Sequence, residues 1–261
     1  LGALPFFHSF GYTATLWAPL SLDIHAVYHI NPLDARVVGN ITRDHAANIL
    51  LTTPTFLRSY VKRCEKEDFA SLDVVVTGAE KLPSTLADAF EAKFGIRPVE
   101  GHGKRKLSPL VRVNTPASRA HEGELGSREG SVGRPIPGVA ARIVDLDTGA
   151  ELPVNSPGML QISGPNVMKG YLAQPELTAE AIRDGWYTTG DVAKLDADGF
   201  IHITGRESRF SKIGGEMVPH LMIEESIRKF LGDGEGDEEE GAVLAVTAVV
   251  DERKGERLVV L

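Results

Sequence analysis

In WYTTGDVAKLDADGFIHITGR, Asp191 directly follows Gly190 at a strand end. A carboxylate there can accept two hydrogen bonds from a vicinal diol, one on each oxygen. Arg206, a hairpin later, could donate to the same sugar. A turn aspartate and a surface arginine are the plainer alternative. Lys212, beside IGGE, is a mobile point charge on a glycine-flanked strand. In EGHGKRKLSP, His102 lies between two glycines, and the cations Lys104, Arg105 and Lys106 follow. The imidazole could lie flat on a ring and the cations could face phosphate, or the stretch could be a solvated basic turn. In VVVTGAEKLP, the residues Gly78, Ala79 and Glu80 could turn backbone N–H groups toward phosphate, or simply join a strand to a helix. His8, in FFHSFG, is either functional or packed.

The elements that hold these residues can be read from the spacing of apolar positions. Asn48 to Leu51 is short and apolar, with Thr53 and Pro54 behind it as N-cap and first helical residue. Phe56, Leu57, Tyr60, Val61 and Cys64 recur at helical spacing and predict a helix to about Glu67. Val74, Val75 and Val76 form the β-branched run of a parallel strand covered on both faces, ending in a polar turn from Thr77 to Lys81. A helix after Pro83 should bury Leu86, Ala89, Phe90 and Phe94 and stop at Gly95. IRPVE reads as a further strand leading into EGHG. Strand, helix, strand is an α/β order, which places ligands at the carboxyl ends of strands.

From about Leu110 glycines and prolines punctuate short alternating runs, predicting a small antiparallel β-barrel or distorted sheet up to about Gly205, interrupted by a helix around Leu177 to Ile182. Beyond Arg206 a short strand, a turn and a helix are expected, with Ile223, Ile227 and Phe230 or Leu231 inward. GDGEGDEEEG is read as a solvated acidic loop, followed by a last strand from Ala242 to Val250. The ends, LGALPFF and ERLVVL, read as strands lacking neighbours, so a piece of a longer chain is expected.

Composition narrows the function classes. The 261 residues, 42% hydrophobic and 25% charged, suffice for one large or two smaller domains with a proper core. A net charge of -8 argues against nucleic acid or anionic membrane as partner of the whole molecule. The single cysteine, Cys64, rules out an internal disulfide framework and a cysteine-based zinc site, and fits a reducing compartment. With no apolar run of about 18 residues and no basic-then-apolar leader, the cytoplasm or the cytoplasmic face of a membrane is expected.

In order, FFHSFG, TTPTFL, VVVTGAEKLP, EGHG with SP after it, GSVGRPIPG, GMLQISGPNVMKGY, GWYTTGD, ITGR and KIGGEMVP resemble the AMP-forming adenylate-forming enzymes, which include acyl-CoA synthetases, luciferases and peptide-synthetase adenylation domains. The resemblance runs from His8 to Glu256. GRESRFSKIGGEMVPH is most similar to synthetases that load fatty acids onto acyl carrier protein, of the type fused to or beside 2-acylglycerophosphoethanolamine acyltransferases. It implies a fragment of the large domain followed by part of a small α+β C-terminal domain. Residues 1–109 would form its parallel α/β layer, 110–207 a small antiparallel β-barrel, and 208–261 the first part of the C-terminal domain. The implied reaction joins a medium- or long-chain fatty acid to AMP from ATP, then passes the acyl group to acyl carrier protein, with CoA as the second choice. By resemblance, Gly78, Ala79 and Glu80 line the adenine, His102 stacks near it where the family usually has an aromatic residue, and Gly103 belongs to the same AMP site. Asp191 and Arg206 hold the ribose, while His8 and Phe10 stand at the acyl pocket. Lys212 serves the thioester half-reaction, and Ser208 is the hinge.

Two departures accompany the resemblance. A phosphate loop is expected upstream of Leu1 and an adenylation lysine beyond Leu261, so efficient adenylation by this chain alone is not expected. Where the family has a threonine for the α-phosphate and a glutamate for Mg²⁺, this sequence has Arg105 and Lys106. A metal ion about 4 Å from a like charge is opposed by about 4 kcal/mol per unit-charge pair at an effective dielectric of about 20, and Mg²⁺ prefers oxygen ligands. Three explanations stand: a degenerate adenylating domain, an engineered or erroneous stretch, or cations that meet phosphate without metal. A catalytically degenerate nucleotide- or acyl-binding module is therefore the alternative function, and a nucleic-acid contact at the basic turn is disfavoured by the net charge.

Overall fold

The computed structural model describes residues 1–213, 216–231, 244–251 and 255–261. The acidic stretch GDGEGDEEEG lies outside them, as do Ala242 and Val243. LGALPFF is not a strand. Pro5 lacks a ladder donor, Gly2 makes only a single bridge to Tyr28, and the chain then winds into a π-helical segment, Gly11–Trp17. Helices α1 (Ala18–Leu22) and α2 (Ala35–Asp44) precede strand β1 (Ile49–Thr52). Helix α3 (Pro54–Arg63) begins as its sequence predicts, the Phe56 N–H donating to the Thr53 hydroxyl at 3.4 Å. It ends four residues before Glu67. Cys64 turns extended, its thiol donating to Ala35 O at 3.1 Å, and Glu65 and Asp68 cap a separate 3₁₀ turn, Lys66–Phe69.

Strand β2 (Val74–Thr77), helix α4 (Ser84–Phe94) and strand β3 (Val99–Gly103) complete the expected α/β order. Gly95 ends α4 in the left-handed conformation at φ 79°, its N–H donating to Glu91 O at 2.7 Å. Ala87 is buried and Ala89 exposed, so the small inward residue is the neighbour of Leu86. β1, β2 and β3 are parallel, in the registers Leu50↔Val75 and Val76↔Val99. Strands β4 (Leu110–Val113) and β5 (Arg134–Pro135) are antiparallel, as the alternation predicts, but they extend this first sheet to the order β1-β2-β3-β4-β5. Val38, Leu50, Leu57, Tyr60, Phe69, Val75 and Phe90 form its core. Phe94 packs 4.6 Å from Phe90 and 4.9 Å from Phe69, ring centre to ring centre.

Strands β6 (Ala140–Val144) and β7 (Gly158–Ser163), helix α5 (Pro175–Ala181), and strands β8 (Ile182–Arg183), β9 (Trp186–Leu195) and β10 (Ile201–Arg206) follow. They give an open half-barrel sheet of order β10-β9-β7-β6, with β8 on β9. Strands β11 (Phe210–Ile213) and β12 (Glu216–Pro219), helix α6 (His220–Leu231), and strands β13 (Val246–Asp251) and β14 (Gly255–Val260) end the chain. Their antiparallel order is β12-β11-β14-β13, so ERLVVL is a strand with neighbours on both sides. Among the described residues the final predicted strand starts at Val246, after Leu244 and Ala245. Phe230 is 89% exposed, whereas His220 and Glu224 are buried on α6. Two compact units result: residues 1–141, 162–187 and 198–202 form one, and 142–161, 188–197 and 203–261 the other.

Candidate functional site

In the first unit the carboxyl ends of β2 and β3 carry the predicted nucleotide residues. Gly78 continues β2, its N–H donating to Thr52 O at 3.1 Å. A Cβ at this position would lie 3.1 Å from the Phe10 ring and 3.4 Å from Gly101 O, so the turn needs glycine to let the ring and β3 approach. Ala79 takes the left-handed conformation at φ 70°, which costs a non-glycine residue of order 1 kcal/mol. The Glu80 carboxylate accepts from Thr55 at the start of α3, from the N–H at 3.2 Å and the hydroxyl at 2.8 Å. On the other side of the turn Leu82 N–H donates to Glu100 at 3.0 Å. Burial raises the Glu100 carboxyl above its ordinary range, opposed by that N–H and by the charge of Lys81. His8 is exposed, its Nδ1 accepting from Phe10 N–H at 3.3 Å.

Half-buried His102 sits on β3 where a bulge separates it from Gly103. Its register partner on β4 is Arg112, which is fully buried. A Cβ on Gly103 would come within 2.6 Å of Pro109 O. The basic turn then closes on itself: Lys104 N–H donates to Pro109 O and Leu107 N–H to Lys104 O, both at 2.8 Å. Met168 N–H donates to Lys106 O at 2.8 Å. The Asn166 amide donates to Leu107 O at 3.1 Å and Leu110 O at 2.9 Å, and the Ser108 hydroxyl donates to Asn166 O at 3.0 Å.

In the second unit Asp191 is 1% exposed on β9. Its N–H donates to the Thr189 hydroxyl at 3.0 Å, which in turn donates to Leu160 O on β7 at 2.8 Å. Arg206 Nε lies 3.7 Å from Asp191 Oδ1, with 65% of the arginine side chain exposed. That is ion-pair distance, beyond a hydrogen bond, so a hydroxyl between them can be bonded by both. Ser208 is exposed in the 3₁₀ turn Glu207–Arg209 between β10 and β11. Lys212 is on β11, opposite Met217 in the register.

Residues 1–172 match the sequence model of the AMP-binding enzyme family. The chain belongs to the AMP-binding enzyme family. The chain is 30% identical over 229 residues to a long-chain-fatty-acid–CoA ligase of Bacillus subtilis (strain 168), covering 87% of the chain and 40% of the relative. It is 30% identical over 258 residues to a feruloyl-CoA synthase of an Amycolatopsis species, covering 98% of the chain and 49% of the relative. Among solved structures, ATP-bound MatB from Rhodopseudomonas palustris superimposes with a TM-score of 0.78 at 29% identity, covering 99% of this chain and 48% of that one. The chain thus spans about half the length of the relatives it matches.

The donor set at the basic turn does not fit the Mg²⁺ that the resemblance implies. Positions 104 to 106 offer only ammonium and guanidinium groups, and Glu100 is engaged by Leu82. Among the described residues no cluster of three or more histidine, cysteine, aspartate or glutamate side chains could hold a metal. Several residues that shape the candidate site carry no mark in the sequence. Thr55, Glu100 and Asn166 act through contacts 18 to 59 residues away, and no local pattern marks them. Arg112 sits in LVRV, where nothing separates a buried arginine from an exposed one. Buried Ser211 and His220 meet at 2.5 Å, and Arg209 and the Val246 N–H both reach Glu224, tying β11, α6 and β13 together. Only the inward i, i+4 spacing of His220 and Glu224 could have signalled this.

Proposed function

We propose that this chain carries the adenylate-binding part of an acid–thiol ligase acting on a medium- or long-chain fatty acid. In the first half-reaction a carboxylate oxygen attacks the α-phosphorus of ATP, the bond to the β-phosphate oxygen breaks, and acyl-adenylate and pyrophosphate form. In the second a thiol sulfur attacks the acyl carbon, the bond to AMP breaks, and the thiol proton leaves with a base. Gly78, Ala79, Glu80, His102 and Gly103 take the adenine, Asp191 and Arg206 the ribose hydroxyls, and His8 and Phe10 the acyl group. Lys212 serves the thioester step, and the exposed 3₁₀ turn at Ser208 is the hinge between residues 1–207 and the C-terminal part. The observation that carries this reading is the buried Asp191 carboxylate with the Arg206 guanidinium 3.7 Å away, an acceptor and a donor set for a diol. The relatives' names support CoA as the thiol; acyl carrier protein is the second acceptor to test, with an acyltransferase domain fused to the parent or beside it.

The test is pyrophosphate release from ATP with a fatty acid, using the longer parent protein with Arg105 and Lys106 in place, followed by acyl transfer to CoA and to acyl carrier protein. Turnover at ordinary ligase rates, above about 1 per second, supports the ligase. A second reading, a degenerate nucleotide- or acyl-binding module, is favoured by the cations at 105 and 106. It requires AMP binding without any pyrophosphate release.

A further inference from the structure

We propose that the turn from Lys104 to Ser108 binds a nucleotide polyphosphate directly through its own cations, with no divalent metal between, and that Asn166 is the positioning residue that shapes it. The nucleotide part rests on the adenylate reading above; the anion part does not.

Charge is the first ground. Arg105 and Lys106 are adjacent cations in a chain of net charge -8, and among the described residues neither makes an ion pair. Holding such charges side by side is unfavourable without an anion, and a polyphosphate supplies several negative charges in a short span. Arginine matches two phosphate oxygens with its fork, while lysine serves as a point charge.

Shape is the second. A loop that had merely lost its function need not keep its form, yet this turn is fixed at both ends and from the side. The bonds from Asn166 and Met168 to the backbone at 106, 107 and 110, and from Ser108 back to Asn166, fix the turn from residues nearly 60 positions away. Leu107, 1% exposed, anchors it from below, so the cations stand on a preorganised frame. Its place is the third ground. It follows the carboxyl end of β3, parallel to β2, where α/β sheets bind ligands.

Titration calorimetry of the chain with AMP, ATP and inorganic pyrophosphate, each in Mg²⁺ and in EDTA, tests this. ATP should bind at least tenfold more tightly than AMP in EDTA, pyrophosphate should compete with it, and Mg²⁺ should not tighten ATP. The double variant Arg105→Thr with Lys106→Glu should abolish the advantage of ATP over AMP in EDTA. Asn166→Ala should shrink that advantage while leaving AMP affinity in place, whereas a merely structural role would weaken both ligands together. An advantage below tenfold in EDTA, or tenfold tightening of ATP by Mg²⁺, overturns the proposal. If AMP fails to bind but pyrophosphate binds in EDTA and is lost in the double variant, the adenylate reading falls and the anion turn stands. If neither ATP nor pyrophosphate binds in EDTA, the turn is not an anion site.

Discussion

Asp191 and Cys64 are two buried acidic groups with different surroundings. The Asp191 carboxyl lies 3.7 Å from the Arg206 guanidinium, and replacing it by asparagine preserves shape but removes a charge-assisted acceptor. Asp191→Asn is expected to weaken AMP binding about tenfold or more, about 1.4 kcal/mol; unchanged affinity by calorimetry would remove the ribose role. The Cys64 thiol is pushed up to about 12 chiefly by burial, with the charge of Asp68 adding to it. In the unfolded chain a thiol titrates near about 8.5, so above that pH the unfolded state sheds a proton that the folded state keeps. The contribution of Cys64 to stability is therefore full below about pH 8.5 and lost progressively as pH rises toward 12. Urea unfolding at rising pH should show this slope in the parent chain and not in Cys64→Ser, and Cys64 should resist alkylation at pH 8 until the protein unfolds.

Among the elements, α4 separates packing from backbone conformation. Phe90 is fully buried between Phe69 and Phe94, and Phe90→Ala is expected to cost about 3–5 kcal/mol, seen as a lowered urea midpoint. Gly95 has open space where a Cβ would stand, so Gly95→Ala tests its φ of 79° alone and should cost about 1 kcal/mol. The first α/β unit was legible because its signals are local: the Thr53–Pro54 start, the valine run of β2, and Pro83 and Gly95 around α4. The end of α3 was not legible, because the buried thiol bond that helps to decide it reaches Ala35 on α2, while the cap between Glu65 and Asp68 that follows is local. The pairing of β4 with β3 was hidden for the same reason, since alternation gives a strand its faces but does not choose its neighbour.

At the scale of the whole molecule, residues 6–33 carry a series of exposed large apolar side chains. Phe7 is 94% and Ile30 97% exposed, with Trp17, Leu20 and Leu22 each more than half exposed. The chain alone is expected to bind a hydrophobic dye and to self-associate as concentration rises. Replacing Phe7 and Ile30 by serine should reduce dye fluorescence and shift elution on size exclusion toward the monomer; no change would place the sticky surface elsewhere. Among the described residues no helix is long and apolar enough to cross a membrane.

Residue types and their order were enough to establish the adenylate-forming family, the α/β class and the candidate residues at Gly78 to Glu80, His102, Asp191 and Arg206, because motifs and apolar periodicity are properties of neighbouring positions. The basic turn was visible from the start as three cations where a carboxylate was expected. Its meaning depended on contacts that cross the chain: Asn166 and Met168 holding the backbone at 106 to 110, and Glu100 already taken by Leu82. Such bonds join groups brought together only when the sheet forms, and the tertiary structure alone decided that those cations stand on a fixed frame.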